Sequence, residues 1–204
     1  MGSIIGKFFT LEQIRSKTLG DASIIPLIDM RMDEKIFAYF SSLYKLSPDI
    51  KKYMPGMDLS TPKATASFLS GHGLSTHLGL QISYVLCIEG KPAGFVFVNT
   101  PDYNKAAVNF PHWSIDFCMF VPFAGNGFMS SFMPHILAML KDAFKVDELF
   151  AIVDTHNSKC LSLLSKFWFE DWDDYSGQAF KDPNTGIIAK VLCCNLSTIN
   201  FQRG

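Results

Sequence analysis

Hydrophobic residues recur along this chain with two different periods, and each change of period marks a new element. The run Ala22 to Ile28 (ASIIPLI) is short and apolar and predicts a first strand. Ile36, Phe37, Phe40 and Leu43 then fall at helical spacing, after which Pro48, Pro55 and Gly56 interrupt the chain. Ser60 or Thr61 followed by Pro62 reads as the cap and first turn of a short helix, with Gly71 beyond its end. Between Leu80 and Pro101, two β-rich runs flank Glu89-Gly90-Lys91-Pro92, which is a hairpin signature. His112 to Pro122 (HWSIDFCMFVP) predicts a third long strand. Phe128, Phe132, Ile136, Leu140 and Phe144 are helical in period, with Pro134 expected to kink that helix or mark a short first turn. A buried strand (ELFAIV) ending at Asp154, an amphipathic helix opened by Asn157 and a last strand (GIIAKVLCCNL) complete the series.

That order is strand, helices, hairpin, strand, helix, strand, helix, closing strands. The middle portion, strand–glycine turn–helix–strand, is one βαβ crossover, and its two strands are expected to pair in parallel. The rest reads as antiparallel, so the layout is a mixed α/β sheet flanked by helices. No internal repeat and no low-complexity linker interrupts it, which predicts a single domain over residues 1–204.

Composition narrows the class. At 48% hydrophobic and 18% charged residues the chain is globular rather than disordered. A formal charge of −1 with no Lys/Arg block gives no electrostatic case for nucleic acid. The five cysteines Cys87, Cys118, Cys160, Cys193 and Cys194 form no C-x-x-C pair, so zinc-ribbon and thioredoxin readings fail and no metal is expected. Reduced, mostly buried thiols are expected. The amino end has too short an apolar run for a signal peptide, and Gly6 stands where a myristoylation signal needs Ser or Thr. No segment approaches the ~20 apolar residues of a membrane span. The expectation is a cytoplasmic protein, monomeric or homodimeric, with no membrane partner.

The candidate chemistry centres on Gly125-Asn126-Gly127, between the strand and the helix of the crossover. One reading is an ordinary loop that uses glycine for positive φ. Another is an anion site made of backbone N–H groups at a helix start. A phosphate-binding loop of the Gly-Lys-Ser/Thr type is excluded, because Phe128 and Met129 follow Gly127. A dinucleotide fingerprint with Ser130 as its third small residue and Asp154 as ribose ligand fits poorly. That fold needs several further βαβ units, and only about 50 residues follow Asp154.

The second half of the crossover adds a specific pattern. The turn Ala124-Gly125-Asn126-Gly127-Phe128-Met129 is followed, after a strand, by Asn157-Ser158-Lys159-Cys160, Leu163-Leu164 and Trp168-Phe169. This resembles the GNAT acetyltransferases, most closely the RimJ/RimL-like branch, with its R-G-x-G-x-A turn and later N-x-x-S-x-x-L-L-x-x-x-G-F. Ala124 replaces the usual Arg or Gln, Met129 the small residue, Cys160 the Ser and Trp168 the Gly. The resemblance covers most of the chain by layout and two short motifs by sequence.

It implies a GNAT fold and a reaction in which an amine attacks the thioester of acetyl-CoA directly, with no metal. It implies that pantetheine pairs with open backbone on Phe117, Met119 and Val121, and that the pyrophosphate lies on the amides of Gly125, Asn126, Gly127, Phe128 and Met129. Asn157 either caps its helix or bonds the pantetheine amide, or does both. Cys160 stands where the branch has a serine that protonates the departing thiolate; a reference pKa of ~8.5 suits that task, and packing is the competing role. The base is sought in Asp116, His112 and His156. Asp116 is chosen because a carboxylate in an apolar strand has its pKa raised by desolvation. The acceptor is a primary amine, of a protein amino terminus or a small molecule. Phe110, Trp113, Tyr103 and Tyr175 are candidates to shape its pocket, and Glu170, Asp171, Asp173 and Asp174 are either a solvated turn or a cation-recognising group. The rival expectation is an inactive acyl-CoA-binding or interaction module on the same fold.

Overall fold

The computed structural model describes residues 15–16, 20–172, 180–181 and 188–199. Contacts group them into two compact units, one drawn from Met1–Thr100 and Phe117–Met129, the other from Pro101–Asp116 and Ser130–Gly204.

In the first unit, β1 (Arg15–Ser16) pairs with β2 (Gly20–Pro26), and a 3-10 turn over Leu27–Asp29 follows. The predicted first strand therefore stops at Pro26, two residues short of Ile28. Helix α1 (Glu34–Lys45) starts where Asp33 accepts the N–H of Ile36 at 3.0 Å. α2 (Pro48–Tyr53) is short, with Pro48 in its first turn. α3 (Pro62–His77) opens at Thr61, whose hydroxyl accepts the N–H of Ala64 at 3.1 Å. Gly71 does not end this helix. Gly71 and Gly73 lie inside it, because glycine stops a helix only where the backbone turns left-handed.

β3 (Gln81–Ile88) and β4 (Lys91–Asn99) form the hairpin, with Ile82 opposite Val98. Its two-residue turn is Glu89-Gly90, both at positive φ (51° and 71°), which suits the right-handed twist of the flanking strands. Every residue of the pair except Lys91 is buried. One face meets the helices through Phe40, Leu43, Val85, Phe95, Phe97 and Phe120. Gly94 is needed on β4 for a steric reason: a Cβ there would stand 2.3 Å from the Cys118 carbonyl oxygen.

The second unit begins with α4 (Pro101–Val108), which the hydrophobic pattern does not announce. β5 (Ser114–Met119), of which Ser114–Asp116 belong to this unit, is shorter than the predicted His112–Pro122, and Val121–Phe123, in the first unit, forms a 3-10 turn instead. α5 (Phe128–Phe144) runs through Pro134 as one helix. The missing N–H costs one bond, while Phe132, Met133, Ile136, Leu137 and Leu140 are all buried and hold the helix in place. β6 (Glu148–Asp154), α6 (Ser158–Ser165), two-residue strands β7 (Glu170–Asp171) and β8 (Phe180–Lys181), and β9 (Ile188–Asn195) follow. β5 and β6 pair in parallel through Ser114 and Phe150, as the crossover requires. β9 is antiparallel to β6, β7 and β8. The strand order is β1-β2-β3-β4-β5-β6-β9-β7, with β8 also on β9. The fold is a mixed, mostly antiparallel sheet with one parallel pair and flanking helices. Among the described residues no helix is long and apolar enough to cross a membrane.

Candidate functional site

Six residues after the end of β5 the backbone turns left-handed, and two residues later it does so again. Gly125 (φ 82°) and Gly127 (φ 78°) are left-handed, and Asn126 between them is not. Successive residues of opposite hand turn neighbouring N–H groups toward one side, which makes a concavity for an anion. The N–H groups of Gly125, Asn126, Phe128 and Met129 have no acceptor among the described residues. Those of Phe128 and Met129 belong to the first turn of α5, where the helix itself supplies none and the dipole is positive. Gly125, Asn126 and Gly127 are exposed, and no atom lies within 4 Å of where a Cβ on either glycine would stand. Asn126 donates its side-chain N–H to the Ala124 carbonyl at 3.5 Å.

Along β5 the three residues expected to face the pantetheine differ in their backbone bonding. The Phe120 N–H donates to the Ala93 carbonyl at 2.9 Å, so strand alternation points the backbone groups of Phe117 and Met119 to the edge away from β4. Val121 does not join them. Its N–H donates to Ser47 Oγ at 2.9 Å and its carbonyl accepts the Ala124 N–H at 3.2 Å. Ser47 is fully buried, and its hydroxyl in turn donates to the Leu43 carbonyl at 2.8 Å. No local pattern in the sequence betrays this contact, which spans 74 positions.

In the second unit Asn157 caps α6: its Oδ1 accepts the Cys160 N–H at 3.2 Å. The carboxamide nitrogen of Asn157 has no partner among the described residues, so the group faces its surroundings as a donor. Burial first, and the charge of Asp116 second, push the Cys160 thiol up to about 12. That is well above the reference value that suggested a matched proton donor. The thiol stays protonated at neutral pH and is no nucleophile. Asp116 is half-buried on β5, close enough for its charge to be felt at Cys160.

The other candidates have local duties. Asp154 accepts the His156 N–H at 2.8 Å and bonds its ring at 3.0 Å, so the carboxylate considered for a ribose is engaged in its own turn. His112 packs against Phe110, Phe150 and Trp172, with ring centroids 4.9, 4.8 and 5.2 Å away. Phe110 is buried in that cluster rather than lining a pocket. Trp113 and His112 line a cavity of about 350 Å³ together with Glu148 and Asn195. Tyr103 is half-buried on α4. Asp171 pairs with Lys190 at 3.0 Å, Glu170 is exposed, and Asp173, Asp174 and Tyr175 lie outside the described residues. Among the described residues no group of three or more His, Cys, Asp or Glu is placed to hold a metal ion.

Trp168 stands at φ 60° and is 55% exposed, at the position where the resembling branch has glycine. A side chain in that conformation costs ~1–2 kcal/mol. Trp168→Gly is expected to raise the melting temperature by about 2–4 °C, in line with a gain of ~1 kcal/mol. A thermal melt checks this, and a fall of the same size would show that the indole is needed where it is.

No protein-family model and no curated protein matches this sequence. Solved structures do match. RimJ of Mycobacterium smegmatis, solved with a CoA disulfide, is 14% identical with a TM-score of 0.67, covering 91% of this chain and 86% of that one. The microcin C7 self-immunity acetyltransferase MccE, solved with acetyl-CoA and AMP, is 13% identical with a TM-score of 0.66, over 88% and 97% of the two chains. The ribosomal-protein-S5-alanine acetyltransferase of Vibrio fischeri is 13% identical with a TM-score of 0.65, over 88% and 95%. The chain therefore has the GNAT fold, in the form it shares with RimJ- and RimL-type acetyltransferases.

Proposed function

We propose that this protein is an N-acetyltransferase that moves the acetyl group of acetyl-CoA to a primary amine by direct attack. The observation that carries the reading is the exposed turn of alternating hand with four unengaged amides at the start of α5. Backbone donors bind a diphosphate without depending on side-chain identity, which accounts for Ala124 in place of Arg or Gln. Phe117 and Met119 offer backbone groups to the pantetheine arm, and the Asn157 carboxamide donates to a carbonyl of that arm. Bound acetyl-CoA supplies the activated thioester. The protein supplies position and donors along β5, and the Cys160 S–H offers a hydrogen bond to the departing sulfur. Asp116 contributes a fixed negative charge that attracts an ammonium. On this reading the whole chain works as one catalytic domain in the cytoplasm.

Two measurements test it. CoA at a hundred times its Kd is expected to stabilise the protein by ~2.7 kcal/mol. Thiol release from acetyl-CoA is expected with at least one amine of a panel that includes peptide amino termini and small amines. An unchanged melting curve at millimolar CoA would reject the reading. Stabilisation without thiol release across the panel would instead favour a binding module that has lost catalysis. Asp116→Asn is expected to lower kcat/KM about 10- to 10²-fold at neutral pH, the loss of one charge-assisted contact of ~1.5–3 kcal/mol, with CoA stabilisation retained; an undiminished kcat/KM would remove Asp116 from the mechanism.

A further inference from the structure

An ammonium near pKa 10 gives up its proton reluctantly to a carboxylate near 4 and far less so to an imidazole near 6.5. One imidazole in the first unit is held as such an acceptor. His72 lies on the inward side of α3, stacked on Phe97 with centroids 4.2 Å apart and planes 24° from parallel, and tilted against Phe68 at 4.2 Å. Its Nδ1 bonds Gln81 Oε1. Gln81 Nε2 donates to Asn99 Oδ1 at 2.5 Å, which leaves the Gln81 oxygen toward the ring. The same oxygen accepts from Ser83 Oγ at 3.0 Å, and Ser83 accepts from Thr76 Oγ1 at 3.0 Å. Gln81, Ser83, Thr76 and Asn99 are all buried.

An amide oxygen cannot donate, so the hydrogen in the His72–Gln81 bond belongs to Nδ1 and Nε2 carries a bare lone pair. Nε2 has no partner among the described residues, and the ring is only half-buried. Aromatic contacts lead from Phe97 to Phe95 at 5.6 Å and from Phe95 to Phe120 at 5.8 Å, just beyond the end of β5. The imidazole thus stands on the helix-covered face of the strands that include the proposed pantetheine edge.

We propose that His72 is the general base of the acetyl transfer, accepting the ammonium proton at Nε2, directly or across one water, while Gln81 holds Nδ1–H. The inference rests on the acetyltransferase reading above. The ammonium loses one proton to His72. The free amine then forms the new C–N bond as the C–S bond breaks, and the second proton leaving nitrogen goes to the thiolate. His72 returns its own proton to water, so one proton is released per turnover. Burial lowers the His72 pKa, with the Gln81 bond opposing, so the ring is neutral and able to accept at pH 7. The described ring contacts are Phe68 from α3, Gln81 from β3 and Phe97 from β4, none of which titrates, and no charged group contributes to the shift. Of the titratable residues on those strands, Tyr84 alternates to the opposite face, while Cys87 and Lys91 lie at the far end of the hairpin.

The test begins with the unliganded protein, where imidazole ¹⁵N shifts at pH 7 are expected to show Nδ1 protonated and Nε2 bare. In the kcat/KM profile, His72→Asn is expected to remove the acid limb and lower the value about 10²-fold at pH 7. The deficit should shrink as pH approaches 10, where amines deprotonate unaided. CoA stabilisation should persist. Gln81→Glu, which keeps the bond and adds charge beside Nδ1, is expected to move the acid limb to higher pH, and it serves if His72→Asn fails to fold. An unshifted limb in both variants, or the opposite tautomer in the ¹⁵N spectrum, overturns the assignment while the acetyltransferase reading stands. A wild-type protein that binds CoA and never releases thiol overturns both.

Discussion

Replacing Gly125 and Gly127 together by valine is expected to weaken CoA binding by two to four orders of magnitude, with little change in the melting temperature of the free protein. The space above both glycines is open, so no clash arises. The effect is conformational. An L-residue near φ 80° costs ~1–2 kcal/mol, more when β-branched, and an exposed turn escapes that strain by returning to negative φ. Once it does, the alternation of hand is lost and the amides no longer point to one side. Losing two charge-assisted hydrogen bonds at ~1.5–3 kcal/mol each gives the stated range. Titration calorimetry with CoA reads it directly. A Kd within threefold of the wild type would show that the turn holds nothing.

Gly94→Ala is expected to lower the melting temperature by about 6–12 °C, for the opposite reason. Gly94 has ordinary backbone angles and no room. A Cβ would stand 2.3 Å from the Cys118 carbonyl oxygen, 3.0 Å from Met119 Sδ and 3.2 Å from Met119 Cα. Two of these three atoms are backbone, so β4 and β5 must separate. Overpacking costs ~1–3 kcal/mol, and backbone atoms in the way put this case at the upper end, about 3 kcal/mol, with each kcal/mol worth about 2–4 °C in a chain of this length. The displaced atoms belong to the strand edge proposed for the cofactor, so CoA affinity should fall too. A change below 3 °C would mean that the strands absorb the methyl group without cost.

These two glycine sites show what a sequence conveys and what it hides. Gly125 and Gly127 stand out because they separate a strand from a helix, and their positive φ follows from that position. Gly94 sits unmarked in a β-rich run, and its role depends on a neighbour 24 positions away. The hairpin, the crossover and the cap at Thr61 were legible because each is set by residues close together along the chain. α4 was not, because its sequence PDYNKAAV has little apolar periodicity, and β7 and β8 are too short to carry any. Gly71 suggested a helix end by identity alone, while the backbone angle that decides the matter is set by packing. The engagement of the Val121 N–H and the hydrogen bond at His72 Nδ1 depend on partners from distant parts of the chain, Ser47 in one case, Gln81 and Asn99 in the other. Those contacts exist only after folding.

The cysteines bear on how the central assay can be run. All five are unpaired, and burial pushes Cys87 and Cys193 up to about 11 and Cys118, Cys160 and Cys194 up to about 12. At pH 7 the ionised fraction is on the order of 10⁻⁴ or less at each, against a few per cent for an ordinary free thiol. A disulfide dye added during turnover would therefore report the sulfhydryl of the product coenzyme over an almost silent polypeptide background. The same quietness should let the folded chain withstand mild oxidants without added reductant.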